Sequence, residues 1–129
     1  MGKNASTSRE RLCKICLALP EAEASSQTGQ HDKFTVRGRT FAYFLNDHQG
    51  DGRIAVNCKV APGGMDVLIR GDPERFYVAP YLGPRGWIGM RLDLPRTDWS
   101  LTEELVRDSY RMAAPKRLVK MMMDEAPDG

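Results

Sequence analysis

The chain has 129 residues, an apolar fraction of 41% and a formal net charge of +2 at pH 7. This length allows one hydrophobic core and is too short for two ordinary domains. The sequence contains no run of about 18 apolar residues, so it predicts no membrane-spanning helix. Residues 1–8 lack the apolar stretch of a signal peptide, and we therefore expect a cytoplasmic protein.

The beginning of the chain has the pattern of one helix followed by a loop. Apolar residues recur at helical spacing after the capping-box pair Thr7 and Glu10, which predicts an amphipathic helix over residues 8–19. Residues 21–30 are polar, small and aperiodic. Such composition is typical of a loop.

Alternation of apolar and polar residues predicts four strands in the middle of the chain. The alternating segments are Phe34–Val36, Phe41–Leu45, Ile54–Cys58 and Trp87–Leu94. The first two flank Arg37-Gly38-Arg39, which has the composition of a tight hairpin tip. The first three predict an antiparallel meander with one face in water. We expect five apolar residues to face the helices: Ile54, Val56, Ile88, Met90 and Leu92.

Helical patterns return after the strands. A short helical turn is predicted over residues 65–69, after Gly63-Gly64, and a capping box of Ser100 and Glu103 predicts a helix over residues 101–113. Pro115 suits the first turn of a final helix that ends near residue 123.

This order of elements predicts an α+β domain of two layers, with helices packed on one face of an antiparallel sheet. We expect a single domain over residues 9–123, with flexible segments at residues 1–8 and 124–129.

Motifs of enzymes and metal sites are absent from the sequence. It has no nucleophile elbow, P-loop, dinucleotide fingerprint or metalloprotease motif, and its two histidines, His31 and His48, stand apart. Cys13 and Cys16 form a CxxC in the middle of the first helix, and Cys58 is the only further thiol. Structural zinc takes four ligands. We therefore expect reduced cysteines that pack in the core, no metal, no cofactor and no enzymatic activity.

Three segments together resemble a known family. They are Phe34–Ala42, Arg75–Asp93 and Ser109–Leu118. Over residues 9–120 the chain resembles the MmcQ/YjbR family of small bacterial proteins, which are described as DNA-binding. The resemblance implies a fold like that of frataxin (CyaY-like), with helices on one side of a sheet, and a double-wing DNA-binding motif.

The resemblance directs attention to exposed arginines. Arg37 and Arg39 flank the hairpin tip that would form a wing, and Arg53 and Arg91 lie on the polar faces of strands. We expect these four to contact phosphates of double-stranded DNA, and not base edges. In the alternative interpretation, the two hairpin arginines only pair with neighbouring acids, for which the candidates are Asp32, Asp47 and Asp51.

A second function class depends on the aromatic segment before the last strand. Tyr81, Arg85 and Trp87 could form the wall of a pocket for a small ligand or a protein partner, without nucleic acid. The same segment could instead cover the core, with Trp87 over the helix–sheet junction. The sequence leaves protein partners and oligomeric state open.

Overall fold

The computed structural model describes residues 2–47, 50 and 52–125. Its elements, in chain order, are α1 (Gly2–Leu17), β1 (Ala22–Gln27), β2 (His31–Val36), β3 (Arg39–Asn46), β4 (Ile54–Lys59), α2 (Gly64–Gly71), β5 (Phe76–Val78), β6 (Trp87–Arg91), α3 (Trp99–Ala113) and α4 (Lys116–Glu125). A short 3₁₀ turn, Gly83–Arg85, precedes β6. No helix in these residues is both long enough and apolar enough to cross a bilayer.

The strands form one antiparallel sheet with the order β1-β2-β3-β4-β6-β5. Helices α1 and α3 lie against one face of this sheet and enclose the core with it. We call the other side of the sheet the open face. The predicted α+β two-layer architecture is therefore confirmed.

The hairpin between β2 and β3 has the predicted tight tip. Val36 pairs with Arg39, which leaves Arg37 and Gly38 as a two-residue loop. Both loop residues have positive φ, 50° and 80°. This is the type I′ geometry, whose twist matches that of the flanking strands.

The five residues predicted to face the helices are in or against the core. Val56, Ile88 and Met90 are fully buried, and Leu92 is almost so. Ile54 is half-buried and packs against the same cluster. Each fully buried side chain of this size contributes about 1.5–3 kcal/mol to folding.

Two strands were not predicted. β1 lies within residues 21–30, which were expected to be a loop, and β5 lies between the predicted helical turn at 65–69 and the last predicted strand. Both are edge strands. In β1 only the small side chains of Ala22 and Ala24 turn toward the core, so apolar alternation hardly marks it.

Several element boundaries differ from the prediction. Helix α1 begins at Gly2, so the pair Thr7 and Glu10 lies inside the helix. Helix α3 is capped by Asp98, whose side chain accepts a hydrogen bond from the Leu101 N–H, and not by Ser100.

The ends of two further elements also differ. Strand β6 ends at Arg91, three residues before the expected Leu94, and Arg96 then adopts a positive φ of 61° in the loop that leads to α3. Helix α4 continues to Glu125, and the remaining residues of the segment expected to be flexible lie outside the described range.

The side chains at the centre of the open face are less exposed to solvent than predicted. Ala55 is fully buried and Asn57 is 4% exposed, although both alternate with Ile54 and Val56 and so lie on the face predicted to be in water. Tyr43 and Tyr77 lie on either side of Asn57 in the strand register, and the Tyr77 ring lies over Gly89. The expected clean division into a buried and a wet face is therefore wrong at this point.

Candidate functional site

The four arginines predicted to contact phosphates lie at two ends of the sheet. Arg37 and Arg39 are at the β2–β3 hairpin. Arg91 is the last residue of β6 and pairs with Ala55, near the beginning of β4, and Arg53 precedes that strand. The structure therefore does not bring the four together into one patch.

Three of these arginines already have partners. Arg37 forms an ion pair with Glu21 at 2.6 Å, and Arg91 forms one with Asp93 at 3.0 Å. The Arg53 guanidinium lies 4.2 Å from the centroid of the Tyr77 ring. Glu21, the partner of Arg37, is not among the acids that the sequence suggested for the hairpin arginines.

These ion pairs shift the pKa values of their members. The hydrogen bond from Arg37 lowers the pKa of Glu21, and the hydrogen bond to Glu21 raises the pKa of Arg37. Burial acts to raise the pKa of Asp93, but hydrogen bonds from Arg91 and from backbone N–H groups outweigh it and the pKa is lowered. Both carboxylates are therefore charged at neutral pH.

Arg39 lies at a cleft that the sequence did not reveal. The cleft has a volume of about 220 Å³ at the end of the sheet where β3 and β6 begin and β4 ends. We call it the basic cleft, and it is lined by Arg39, Thr40, Lys59, Arg85, Trp87, Ser109, Met112 and Ala113. Its three cations come from three separate segments of the chain, and no acidic side chain of the described residues lines it.

The 3₁₀ turn brings Arg85 to this cleft. Pro84 is the second residue of the turn, and Gly86, which follows its last residue, has a φ of 89°. The Gly86 carbonyl accepts a hydrogen bond of 2.9 Å from the Val60 N–H, which fixes the turn against the end of β4. Arg85 is thereby placed beside Lys59.

Ser109 of α3 closes the inner side of the cleft. Its hydroxyl donates to the Phe41 carbonyl at 2.7 Å and accepts from the Lys59 N–H at 3.0 Å. This side chain links β3 and β4 beyond their last paired residues, Ala42 and Cys58. The hydroxyl is thus committed to holding the two strands, and the cations are the groups left to bind a ligand.

The positive charge of the cleft is not neutralised locally. Arg39, Lys59 and Arg85 are exposed, and they form no ion pair within the part of the chain that the structure describes. The last turn of α3 forms one wall, and a helix C-terminus carries about half a negative charge. Three full positive charges exceed this, so the cleft favours an anion.

The residues predicted as a pocket wall are divided by the structure. Arg85 and Trp87 line the cleft, whereas Tyr81 is not among its lining residues and is 84% exposed. Trp87 is buried and also lies against Tyr43, with ring centroids 5.6 Å apart. It therefore covers part of the open face and borders the cleft, and it lies outside the core cluster that the sheet forms with the helices.

An aromatic row next to the cleft was also missed. His31 stacks on Tyr43 with centroids 5.3 Å apart and planes 8° from parallel, and Tyr43 in turn meets Trp87. These side chains come from β2, β3 and β6, and β4 lies between the last two strands in the sheet. The sequence shows each as an isolated aromatic residue. The strand order and register that bring them together were the missing information.

The cysteines take the packing positions that were expected. Cys16 and Cys58 are fully buried in the core, and Cys13 is half-buried. Burial raises the pKa of Cys16 well above its usual value and raises that of Cys58 to about 12. Within the described residues, no three His, Cys, Asp or Glu side chains are grouped so as to hold a metal ion. His48 lies outside the described residues.

Comparison with known proteins decides the family. The YjbR family model matches residues 17–112, from the end of α1 almost to the end of α3. The chain belongs to the YjbR family. The resemblance drawn from the three sequence segments is thereby confirmed.

A solved structure shares the fold of this YjbR protein. It is the crystal structure of the Deinococcus radiodurans protein DR2400, with the family-model domain DUF419, and it has a TM-score of 0.67 and 24% sequence identity. The match covers 88% of this chain and 83% of that one. No curated protein matches the sequence.

Proposed function

We propose that this YjbR protein binds nucleic acid without catalysing a reaction, and that it holds the phosphate backbone in the basic cleft. The observation that carries the proposal is the convergence of Arg39, Lys59 and Arg85, with no acid of the described range in the lining. The family resemblance to proteins described as DNA-binding supports it, and Arg39 belongs to the hairpin that corresponds to a wing. A cytoplasmic location is part of the proposal.

The size of the cleft suits part of a polymer better than a whole small molecule. Pockets that enclose a drug-sized ligand measure about 300–1,000 Å³. A cleft of about 220 Å³ is smaller than this. It has room for one phosphate, and its three exposed cations can each contact a different phosphate of a nucleic-acid strand. Arginine binds phosphate with a planar fork of donors and lysine with a point charge, and both are present.

Phosphate contacts of this kind are shared by all sequences. Each neutralised phosphate of duplex DNA releases counterions, and this lowers log affinity by about 0.9 per unit of log salt concentration. Three cations in the cleft therefore give a slope of about −2.7. Arg37 and Arg91 add little to this slope because Glu21 and Asp93 already neutralise them.

The experiment measures binding of fluorescent DNA as a function of salt. Replacing Arg39, Lys59 and Arg85 with Gln, one at a time, is expected to reduce the slope by about 0.9 each, with little dependence on sequence. Arg70→Gln is the matched control, because Arg70 is exposed on α2 and does not line the cleft. An equal effect of the control variant, or no binding at low salt, would contradict the proposal.

A small anionic ligand is the second candidate. It is favoured by the position of Trp87 in the cleft wall, where a bound ligand would change its fluorescence. If DNA fails to bind at low salt and Trp87 fluorescence responds to a small phosphorylated compound, this second function replaces the first.

A further inference from the structure

The centre of the open face contains a buried acceptor without a partner. Asn57 is only 4% exposed, and its Oδ1 atom has no hydrogen-bond partner among the described residues. One other buried side-chain atom shares this condition, Nη1 of Arg75, but that guanidinium is already bonded to Asp72. Asn57 Oδ1 is therefore a buried hydrogen-bond acceptor that a ligand could pair with.

An unpaired buried acceptor lowers the stability of the free protein. Leaving a buried polar atom unsatisfied costs about 1–3 kcal/mol, which an apolar residue at the same position would avoid. Buried polar groups in native proteins are nearly always hydrogen-bonded, so an exception calls for an explanation. A ligand that donates a hydrogen bond to Oδ1 would explain this one.

The surroundings of Asn57 are aromatic. Tyr43 pairs with it on one side and Gly89 on the other. A side chain at Gly89 would collide with the Tyr77 ring, since a Cβ there would lie 2.3 Å from Cζ. Tyr77 therefore covers the glycine, and Asn57 lies between two half-buried tyrosines. Planar groups stack on side chains of this kind.

The acceptor also lies close to the basic cleft. Lys59 is two residues further along β4 and on the same face, which is about 7 Å away at the usual strand rise. Trp87 pairs with Lys59, lines the cleft and meets Tyr43, the residue that pairs with Asn57. A ligand that reaches from the cleft to Asn57 has an anionic end and, next to it, a planar end with an N–H donor.

We propose that the open face binds an unpaired nucleotide, with its phosphate in the basic cleft and its base beside Tyr43, where a base N–H donates to Asn57 Oδ1. The position of the phosphate rests on the proposed function. In a duplex the base faces are stacked and the Watson–Crick N–H groups are paired. Only an unpaired base can offer both its face and these donors. Because Oδ1 is buried in the free protein, the side chains around it must move when a base binds.

The test compares four probes by fluorescence anisotropy and competition. They are a 15-nucleotide single-stranded DNA, the matched duplex, adenosine 5′-monophosphate and inorganic phosphate. The single strand is expected to bind the wild-type protein at least tenfold more tightly than the duplex. Asn57→Ala is expected to weaken single-strand binding about tenfold, while duplex affinity and the salt slope stay unchanged.

Two further variants test the stacking ring and provide a control. Tyr43→Leu removes the stacking ring and leaves Asn57 in place, so it should also weaken single-strand binding about tenfold without changing duplex binding. Asn46→Ala is the matched control, because Asn46 ends β3 away from the Asn57 row and should change neither.

The outcomes separate this inference from the proposed function. The inference is overturned if single strand and duplex bind equally well, or if both Asn57→Ala and Tyr43→Leu bind the single strand as the wild type does. The proposed function still stands in that case if the cleft variants lose binding. If the cleft variants bind DNA as the wild type does, the proposed function fails instead. Binding of the mononucleotide as tight as that of the strand supports the inference and identifies a free nucleotide as the ligand.

Discussion

Glu21 and Arg37 are joined by two contacts across the end of the sheet, Nε to Oε1 at 2.6 Å and Nη2 to Oε2 at 3.1 Å. Both residues have positive φ, 56° and 50°. Arg117 of α4 lies 3.8 Å from the same carboxylate. The ion pair therefore ties the β2–β3 hairpin to the beginning of β1 and neutralises the arginine next to the cleft residue Arg39.

Replacement of Glu21 with Gln should free Arg37 for phosphate. We expect Glu21→Gln to bind DNA more tightly than the wild type at low salt, and to steepen the salt slope by up to about 0.9, the effect of one additional cation. The measurement is the same salt titration that tests the basic cleft.

Glu23→Gln is the control for this variant. It removes an equal charge from an exposed position two residues away in β1, and Glu23 forms no ion pair within the described part of the chain. If both variants raise the affinity equally, the gain comes from net charge and not from Arg37.

The Glu21–Arg37 ion pair also makes the stability of the protein depend on pH. Because the pKa of Glu21 is lowered in the folded protein, the stabilisation it provides is present above its unfolded pKa and is lost as pH falls through the folded value. The difference in unfolding midpoint between wild type and Glu21→Gln should therefore shrink in acid. A difference that grows below pH 4 would contradict this sign.

The cysteines should differ in reactivity. Burial raises the pKa of Cys16 well above normal and that of Cys58 to about 12, so both remain protonated at pH 8. Iodoacetamide is expected to modify only Cys13 in the folded protein and all three thiols after denaturation, as counted by mass spectrometry. Modification of Cys16 as fast as Cys13 would contradict core packing, as would stoichiometric metal in protein purified without added metal.

The sequence was most informative where apolar alternation was strong. It predicted the three-stranded meander and the faces of β4 and β6, because Val56, Ile88 and Met90 have a clear period of two. It failed at β1, where the buried face offers only Ala22 and Ala24, and backbone pairing with β2 decides the structure.

The site was predictable only in parts. Arg39, Arg85 and Trp87 were all identified from the sequence, but they were assigned to two different functions. Their common cleft depends on the pairing of β4 with β6 and on a 3₁₀ turn, neither of which periodicity reveals. The neutralisation of Arg37 by Glu21 depends on two residues with positive φ, which the sequence does not indicate.

Gly89 should be intolerant of a side chain because of Tyr77. A Cβ at Gly89 would lie 2.3, 2.5 and 2.7 Å from three atoms of the Tyr77 ring, so the ring must move. We expect Gly89→Ala to destabilise the protein by about 1–3 kcal/mol in urea unfolding. In the double variant Tyr77→Ala/Gly89→Ala the collision is absent, so the two losses should not add. Additive losses would show that the cost has another origin.

Asp32 is fully buried at the beginning of β2. Its carboxylate accepts hydrogen bonds from the Arg9 guanidinium and, at 2.9 Å, from the Gly29 N–H, and so connects α1 to the β1–β2 turn. Asp32→Ala leaves both donors without this partner, but Arg9 is about one-third exposed and can reach water. We therefore expect a loss of about 2 kcal/mol, or roughly 8 °C in Tm for a chain of this length.

Arg9→Met is the informative counterpart, because it leaves the fully buried carboxylate with a backbone donor but no positive charge. Its loss should exceed that of Asp32→Ala, since an uncompensated buried charge costs more than a partly exposed guanidinium without its partner. Calorimetry on both variants measures the difference, and a milder effect of Arg9→Met would contradict the argument. Asp32 does not line the basic cleft, so Asp32→Ala should keep the wild-type slope of DNA affinity against salt at temperatures where it is folded.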